Sequence, residues 1–185
     1  MSQPVIYVFG GSNGAGKTTF ARAYLPNENP DTRFLNADEI ARGLSPFSPQ
    51  TMALKAGRLM LEEVRGCIEA RQSFGMESTL SGKTYIGLLS EARKAGYEIE
   101  LHYLWLPNVE LAVRRVRQRV RKGGHSVPES DIRRRYQRSI DHLLHDYLPL
   151  ANRWSIWDNE DSAPVLIADS ANDDIVRATE ILANS

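Results

Sequence analysis

The stretch Gly11-Ser12-Asn13-Gly14-Ala15-Gly16-Lys17-Thr18 decides the fold of this 185-residue chain, because it matches the pattern G-x-x-x-x-G-K-[ST] in full. The apolar run Val5–Phe9 before it is typical of a strand buried on both faces. A helix from about Lys17 to Leu25, ended by Pro26, is predicted after it. This setting favours a backbone cradle for phosphate groups at the positive end of a helix dipole, over a chance glycine-rich turn.

Nucleotide contacts are expected along the whole motif and at the next residue. The set is Gly11, Ser12, Asn13, Gly14, Ala15, Gly16, Lys17, Thr18 and Thr19. We expect Lys17 to act catalytically on the β- and γ-phosphates, and the Thr18 hydroxyl to ligate Mg²⁺. The motif indicates a nucleoside triphosphate site, with ATP and GTP both open as the donor, and does not name the reaction.

Strand and helix patterns alternate along the rest of the chain. Strands are predicted at Arg33–Ala37, Ser73–Glu77, Tyr97–Leu106, Trp154–Trp157 and Val165–Ala168, the last two forming a possible hairpin. Helices are predicted at Ser48–Arg71, Ser81–Ala95, Asn108–Lys122, Ser126–Pro149 (opened by a capping box at Ser126–Glu129) and Asp173–Leu182. Such alternation predicts a three-layer α/β/α fold of the P-loop type, with a mainly parallel sheet in a single domain over residues 1–185.

Composition is that of an ordinary globular protein, with 42% apolar and 25% charged residues. It excludes a disordered or collagenous chain, and no apolar run approaches the roughly 18 residues that span a bilayer. The single cysteine, Cys67, excludes an internal disulfide, and the first residues do not resemble a cleavable signal. We therefore expect a cytoplasmic protein without a membrane partner.

Two carboxylates follow predicted strands, where ligands of open α/β sheets bind. Asp38 could take a proton from an acceptor hydroxyl or hold Mg²⁺ through water, and its alternative role is a helix cap. Glu77 could hold Mg²⁺ through water or contact the substrate, and its alternative role is a structural ion pair.

Basic residues are concentrated between Arg114 and Arg138, where ten of them face only Glu129 and Asp131, although the whole chain has 23 basic and 23 acidic residues. This excess predicts a local anionic ligand. The segment 108–148 could form a helical lid over a triphosphate; a nucleic-acid patch and an inert surface are the alternatives. Few aromatic residues lie among these cations, and the chain is neutral overall, so nucleic acid is the less favoured ligand. His125 could donate a hydrogen bond to a phosphate group, or it could be only a residue of the turn.

These segments together resemble the zeta toxin family of P-loop kinases, from about Val5 to Ser170. The residues that carry the resemblance are Gly11–Thr18, Asn36–Glu39, Glu77–Thr79 and Arg115–Tyr136. The resemblance implies transfer of the γ-phosphoryl of ATP or GTP, with Mg²⁺, to a sugar hydroxyl of UDP-N-acetylglucosamine.

The resemblance also implies roles for single residues. Asp38 would be the base, and Arg115 and Arg119 would clamp the nucleotide, Arg119 catalytically. The acceptor would contact Asp38, Glu77, Thr79, His125, Arg134 and Arg135. The large toxins are longer chains, and their lid arginines are spaced differently. The resemblance therefore supports phosphoryl transfer more strongly than it supports the sugar-nucleotide acceptor. An antitoxin-like protein partner is left open.

Sequence reasoning thus predicts a kinase of a small hydroxylated acceptor. A kinase of another sugar, nucleoside or antibiotic is the nearest alternative. The alternative from another functional class is a protein that acts on nucleic acid. It would be either a kinase of polynucleotide ends or a module whose binding of nucleic acid is controlled by the nucleotide.

Overall fold

The computed structural model describes residues 3–124, 126–161 and 163–183, and it has the predicted α/β architecture. The strands are β1 (Val5–Gly10), β2 (Arg33–Leu35), β3 (Phe74–Ser78), β4 (Glu98–Trp105), β5 (Arg153–Asp158) and β6 (Val165–Asp169). The helices are α1 (Lys17–Glu28), α2 (Ala37–Leu44), α3 (Ala53–Glu69), α4 (Thr84–Lys94), α5 (Val109–Arg121), α6 (Glu129–His142) and α7 (Ile175–Ala183).

One six-stranded sheet in the order β2-β3-β1-β4-β5-β6 forms the middle layer. Strands β1 to β5 pair in parallel, and β6 pairs antiparallel with β5 as the predicted hairpin. The carboxyl ends of β1 and β3 are therefore neighbours, and Phe9 lies opposite Glu77 in the register. This adjacency brings the loop after β1 beside the end of β3.

Alternation along β1 divides the core between two helical layers. Ile6 and Val8 face a cluster that includes Met60 and Val64 of α3, together with residues of α4 and α7. Tyr7 and Phe9 face α1 on the opposite side of the sheet. A third cluster packs α5 against Leu104 and Leu106, so helices cover both faces of the sheet in a three-layer arrangement. No described helix has the length and apolar character that crossing a membrane requires.

Several predicted helix boundaries were wrong. Helix α1 continues past Pro26 to Glu28, because a proline in the last turn removes only one helical hydrogen bond and the helix is already anchored by buried Ala21 and Leu25. The segment after Ser48 begins with a 3₁₀ turn, Pro49–Met52, before α3. The helix predicted from Ser81 begins at Thr84, and a π-helical turn, Leu143–Tyr147, follows α6.

The predicted capping box at Ser126–Glu129 was also wrong. Helix α6 begins at Glu129 with Pro128 as its N-cap, and no side-chain cap is seen among the described atoms. The Glu129 carboxylate instead accepts hydrogen bonds from Arg117 at 2.6 Å and from Arg133 at 2.9 and 3.0 Å. Charge-assisted bonds to guanidinium groups are stronger than a bond to a backbone amide, which explains this preference.

Candidate active site

The glycine-rich loop lies between the carboxyl end of β1 and the start of α1. Gly14 and Gly16 have φ values of 82° and 84°, in the left-handed region that favours glycine. A Cβ atom at Gly16 would lie 2.6 Å from Nδ2 of Asn159, which itself donates to the Ala15 carbonyl at 2.7 Å. The loop is thus fixed from outside by the residue after β5, and substitution at Gly16 would displace that contact.

Lys17 is the buried cation of this loop, with only 6% of its side chain exposed. Its Nζ atom donates to the Ser12 carbonyl at 2.9 Å and lies 3.6 Å from Glu77 Oε1. Burial lowers the pKa of Lys17, the carboxylates of Glu77 and Asp38 oppose that shift, and the Arg119 guanidinium adds to it. These opposing effects show that two carboxylates and an arginine converge on this ammonium group.

The Glu77 carboxylate, near the end of β3, connects the loop to the next strand. Its Oε2 atom accepts a hydrogen bond from the Thr18 hydroxyl at 2.6 Å and another from Asn36 Nδ2 at 2.8 Å. A carboxylate that contacts Lys17, Thr18 and Asn36 is held in one orientation at the motif threonine.

Asn36 also begins helix α2 and thereby orients Asp38. Its Oδ1 atom accepts from the backbone amides of Asp38 at 2.8 Å and Glu39 at 3.3 Å. The helix cap that sequence reasoning allowed for Asp38 is therefore supplied by Asn36. The Asp38 carboxylate is left exposed in the first turn of α2, free to contact a ligand.

A cavity of about 190 Å³, here called the polar cavity, brings together predicted residues of the phosphate loop, the two carboxylates Asp38 and Glu77, and two arginines. It is lined by Asn13, Gly14, Lys17, Asn36, Ala37, Asp38, Glu77, Ser78, Thr79, Tyr85, Arg119 and Arg135. Asn36 and Tyr85 were not predicted as site residues, although Asn36 stood in the quoted segment Asn36–Glu39. A strand end followed by a first-turn carboxylate is the local signal that could have identified Asn36 as a cap.

Thr79 enters this cavity from the tight turn after β3. Its hydroxyl lies 2.8 Å from the Ser81 hydroxyl, and the next residue, Leu80, has a φ of 54° despite its side chain. The buried Leu80 side chain would be 2.5 Å from a Cβ atom at Gly10, so glycine there admits this close approach. Left-handed backbone at a buried leucine is strained and occurs where surrounding packing enforces it.

The predicted lid arginines separate into different environments. Arg119 and Arg135 line the polar cavity, whereas Arg134 is exposed and does not line it. Both Arg134 and Arg135 form ion pairs with Asp131, at 2.8 and 3.7 Å. Arg115 donates to the Glu160 carbonyl at 2.7 Å, on the other side of the loop. His125 lies outside the described residues.

Part of the basic excess between Arg114 and Arg138 is compensated by ion pairs within the protein. Arg117 pairs with Glu129, and Arg133 pairs with both Glu129 and Glu110. These partners come from the facing helix or the preceding turns, so they were not visible in the sequence pattern of α5 alone. The compensated arginines lie on the outer side of α5 and α6.

A second cavity of about 450 Å³, here called the aromatic cavity, opens on the other side of the loop. It is lined by Gly16, Thr19, Phe20, Ala23, Tyr24, Asn27, Arg115, Trp157, Asn159, Asp161 and Pro164. The Phe20 ring lies 5.7 Å from the Tyr24 ring and 5.1 Å from the Trp157 ring, centroid to centroid. Sequence reasoning missed these three aromatic residues. The i, i+4 spacing of Phe20 and Tyr24 after the motif was the available signal.

The oxygen atoms at the motif threonine fit a magnesium ion. Thr18 Oγ1 and Glu77 Oε2 are 2.6 Å apart, and hydroxyl and carboxylate oxygens are the donors that Mg²⁺ prefers. The buried Ser12 hydroxyl, which has no partner among the described residues, is a further polar group available to the phosphates of a nucleotide. These features fit a magnesium–nucleotide complex in which phosphate oxygens complete the coordination.

Comparison with known proteins gives two matches by sequence. The sequence model of the zeta toxin family matches residues 1–166. An uncharacterized protein of Haemophilus influenzae is 32% identical over 126 residues, which are 68% of this chain and 88% of that protein.

Solved structures share the fold of P-loop kinases. One, from the PezAT chromosomal toxin–antitoxin system of Streptococcus pneumoniae, has a TM-score of 0.71 and 16% identity, covering 100% of this chain and 80% of that one. Another, the AvrRxo1-ORF1:-ORF2 structure with ATP, has a TM-score of 0.65 and 20% identity over 90% of this chain. This chain spans 58% of the length of that second protein.

Proposed function

The chain belongs to the zeta toxin family, and from that premise we propose that it transfers the γ-phosphoryl of ATP or GTP to the hydroxyl of a small acceptor. The observation that carries the proposal is the polar cavity, where Lys17 and Asp38 face one space together with Arg119 and Arg135. A cation for the phosphates and a carboxylate for the acceptor are the two groups that this reaction requires.

The phosphate loop would bind the donor. The first turn of α1 contains no acidic residue, and its N-cap, Gly16, has no side chain that could bond to the amide groups of that turn. These amide groups are therefore suited to an anion. Lys17 would contact the β- and γ-phosphates. Mg²⁺, held through Thr18 and through water by Glu77, would neutralise charge that develops on the transferred group.

The nucleobase would lie in the aromatic cavity. That cavity shares Gly16 and Thr19 with the start of α1, so it begins where the phosphate cradle ends. Phe20, Tyr24 and Trp157 offer flat apolar surfaces to a purine, and Arg115 lies at the same cavity. Arg115 is therefore proposed to contact the base or sugar end of the nucleotide.

Asp38 would act as the general base. An alcohol attacks phosphorus poorly until a nearby base takes its proton, and a positioned carboxylate contributes roughly 10²–10⁴-fold. Because Asn36 caps α2, the Asp38 carboxylate is not needed for the helix and can face the acceptor. Arg119 and Arg135 would stabilise the charge on the phosphoryl group, with Arg119 as the catalytic arginine.

The polar lining of a small cavity supports a polar, hydroxylated acceptor. We propose a hydroxylated sugar, with the sugar hydroxyl of UDP-N-acetylglucosamine as the first candidate and Thr79 as an acceptor contact. Another sugar, a nucleoside or an antibiotic is the alternative. The segment 108–148 stays a predicted lid, and an antitoxin-like protein is a proposed partner, because one structural neighbour comes from a toxin–antitoxin system.

The test is a phosphoryl-transfer screen with γ-labelled ATP and GTP. Acceptors would be UDP-N-acetylglucosamine, free sugars, nucleosides, aminoglycosides and an RNA with a free 5′-hydroxyl. Lys17→Ala serves as the inactive enzyme, with a loss of roughly 10²–10³-fold or more, and Lys83→Ala, on an exposed lysine paired with Asp146, serves as the matched control.

We expect label on one small acceptor, with Mg²⁺ required and Lys83→Ala as active as the wild type. Label that appears only on RNA would favour the nucleic-acid end kinase. Equal hydrolysis by the wild type and Lys17→Ala would contradict the donor site.

A further inference from the structure

A chain of hydrogen bonds lies under α1, behind the aromatic cavity. Trp157 Nε1 donates to Ser155 Oγ at 2.7 Å, and that oxygen lies 2.7 Å from His102 Nδ1. His102 Nε2 lies 3.0 Å from Glu100 Oε1. The strand register explains the alignment, because His102 lies opposite Ser155 where β4 pairs with β5. We call Glu100, His102 and Ser155 the buried relay.

The donors and acceptors permit one continuous direction for these bonds. An indole nitrogen can only donate, so Ser155 Oγ accepts from Trp157. The ionised Glu100 carboxylate can only accept, so His102 Nε2 carries a proton and donates to it. In the neutral ring, Nδ1 is then the unprotonated nitrogen and accepts from the Ser155 hydroxyl. Each hydrogen bond of the buried relay thus orients the side chain that makes the following bond.

Glu100 anchors the far end of the buried relay. It accepts from the Tyr24 hydroxyl at 2.6 Å, and Arg153 donates to its other oxygen at 2.6 and 3.1 Å. Burial alone would raise the pKa of Glu100, but hydrogen bonds from His102, Tyr24 and Arg153 lower it to about 2. Because Tyr24 also lines the aromatic cavity, both ends of the network reach the same space.

Serine, histidine and glutamate in this order also resemble a hydrolase triad, but the geometry does not suit nucleophilic attack. Ser155 lies within β5 and is 9% exposed. Its oxygen already accepts the indole proton and donates its own proton to the histidine. Glu100, His102 and Ser155 also line a cavity of about 370 Å³ beside Arg153. On the other side, the indole bond to Ser155 holds the Trp157 ring, whose centroid is 5.1 Å from that of Phe20.

We propose that the buried relay fixes the Trp157 ring as the wall of the nucleobase site, so that Ser155 and His102 are positioning residues for nucleotide affinity. This inference rests on the proposed function, which places the base in the aromatic cavity. A ring held in its bound orientation loses less conformational freedom when the base stacks on it, and this favours binding. The buried relay does not touch the phosphates, so its effect should be confined to the base.

The test compares Ser155→Ala with the wild type for binding of Mg·ATP and of magnesium tripolyphosphate, which lacks base and sugar. Loss of one such hydrogen bond should weaken Mg·ATP binding about three- to tenfold. We expect tripolyphosphate binding and kcat to be unchanged. Ser155→Thr keeps the hydroxyl in a strand residue and should restore wild-type affinity for Mg·ATP.

A double-mutant cycle with Trp157→Phe separates positioning from general packing. Phenylalanine has no indole N–H, so adding Ser155→Ala to Trp157→Phe should cause no further loss of Mg·ATP affinity. The indole proton of Trp157, observed by NMR in the free protein, should exchange faster in Ser155→Ala.

Equal weakening of Mg·ATP and tripolyphosphate by Ser155→Ala, or additive losses in the cycle, would overturn the inference and leave the kinase proposal intact. A wild type that binds Mg·ATP no more tightly than tripolyphosphate would instead contradict the nucleobase site of the proposed function. The indole exchange measurement reports on the buried relay in either case.

Discussion

The polar cavity and the aromatic cavity flank the same glycine-rich loop but are built in different ways. In the polar cavity, Lys17 and the exposed Asp38 carboxylate line one small space that a ligand can enter. Behind the aromatic cavity, the charged Glu100 is fully engaged by His102, Tyr24 and Arg153. Charges left open to a ligand indicate chemistry, whereas satisfied charges indicate positioning and stability.

The larger of two effects that test this comparison should separate Arg135 from its neighbour Arg134. Arg135 lines the polar cavity, so Arg135→Ala should lower kcat by roughly 10–100-fold, the range for a lost hydrogen bond to a charged group. Arg134→Ala is the matched control, because Arg134 pairs with the same Asp131 but is exposed and does not line the polar cavity. It should stay within about twofold of the wild type, since surface ion pairs contribute little. Steady-state kinetics with the acceptor found in the screen would measure both values.

Equal losses in Arg134→Ala and Arg135→Ala would contradict the separation of the two arginines. That result would mean that the segment acts by its overall charge, as the nucleic-acid alternative requires. A salt dependence of both variants would then be expected.

The smaller effect concerns stability behind the aromatic cavity. Glu100 has a pKa of about 2 in the folded protein against an ordinary value of 4.5, so its folded state favours the ionised form. The stabilisation is present above pH 4.5 and is lost as the pH falls from 4.5 toward 2. We expect Glu100→Gln to cost on the order of 1–2 kcal/mol at neutral pH, allowing for solvent screening at the exposed Arg153.

Urea unfolding of the wild type and Glu100→Gln across this pH range would measure the effect. The difference in unfolding free energy should shrink as the pH falls below 4.5. A difference that stays constant down to pH 2 would show that the carboxylate charge is not what stabilises this region.

Sequence reasoning predicted the phosphate loop and the sheet because their signals are local. The motif at Gly11–Thr18 and the buried run Val5–Phe9 specify strand, turn and helix within a short stretch. Asp38 and Glu77 were predicted as neighbours of the loop because the carboxyl ends of parallel strands meet at one edge. The structure brings both to the polar cavity, while their chemical roles stay proposals.

The aromatic cavity could not be predicted in the same way, because its walls come from distant segments. Asn159 contacts the Ala15 carbonyl across 144 residues, and Trp157 reaches Phe20 only after β5 has paired with β4. Two ion pairs similarly join α5 to α6, between Glu110 and Arg133 and between Arg117 and Glu129. Tertiary pairing of this kind leaves no periodic signal in any one segment.

The measurement that tests the central claim most directly is phosphoryl transfer by Asp38→Asn, with γ-labelled nucleotide and the acceptor identified in the screen. Asparagine keeps the shape of the side chain but cannot take the acceptor proton. We predict that transfer falls by roughly 10²–10⁴-fold while nucleotide affinity is nearly unchanged. Full transfer activity in Asp38→Asn would contradict Asp38 as the base and would make Glu77 the next candidate.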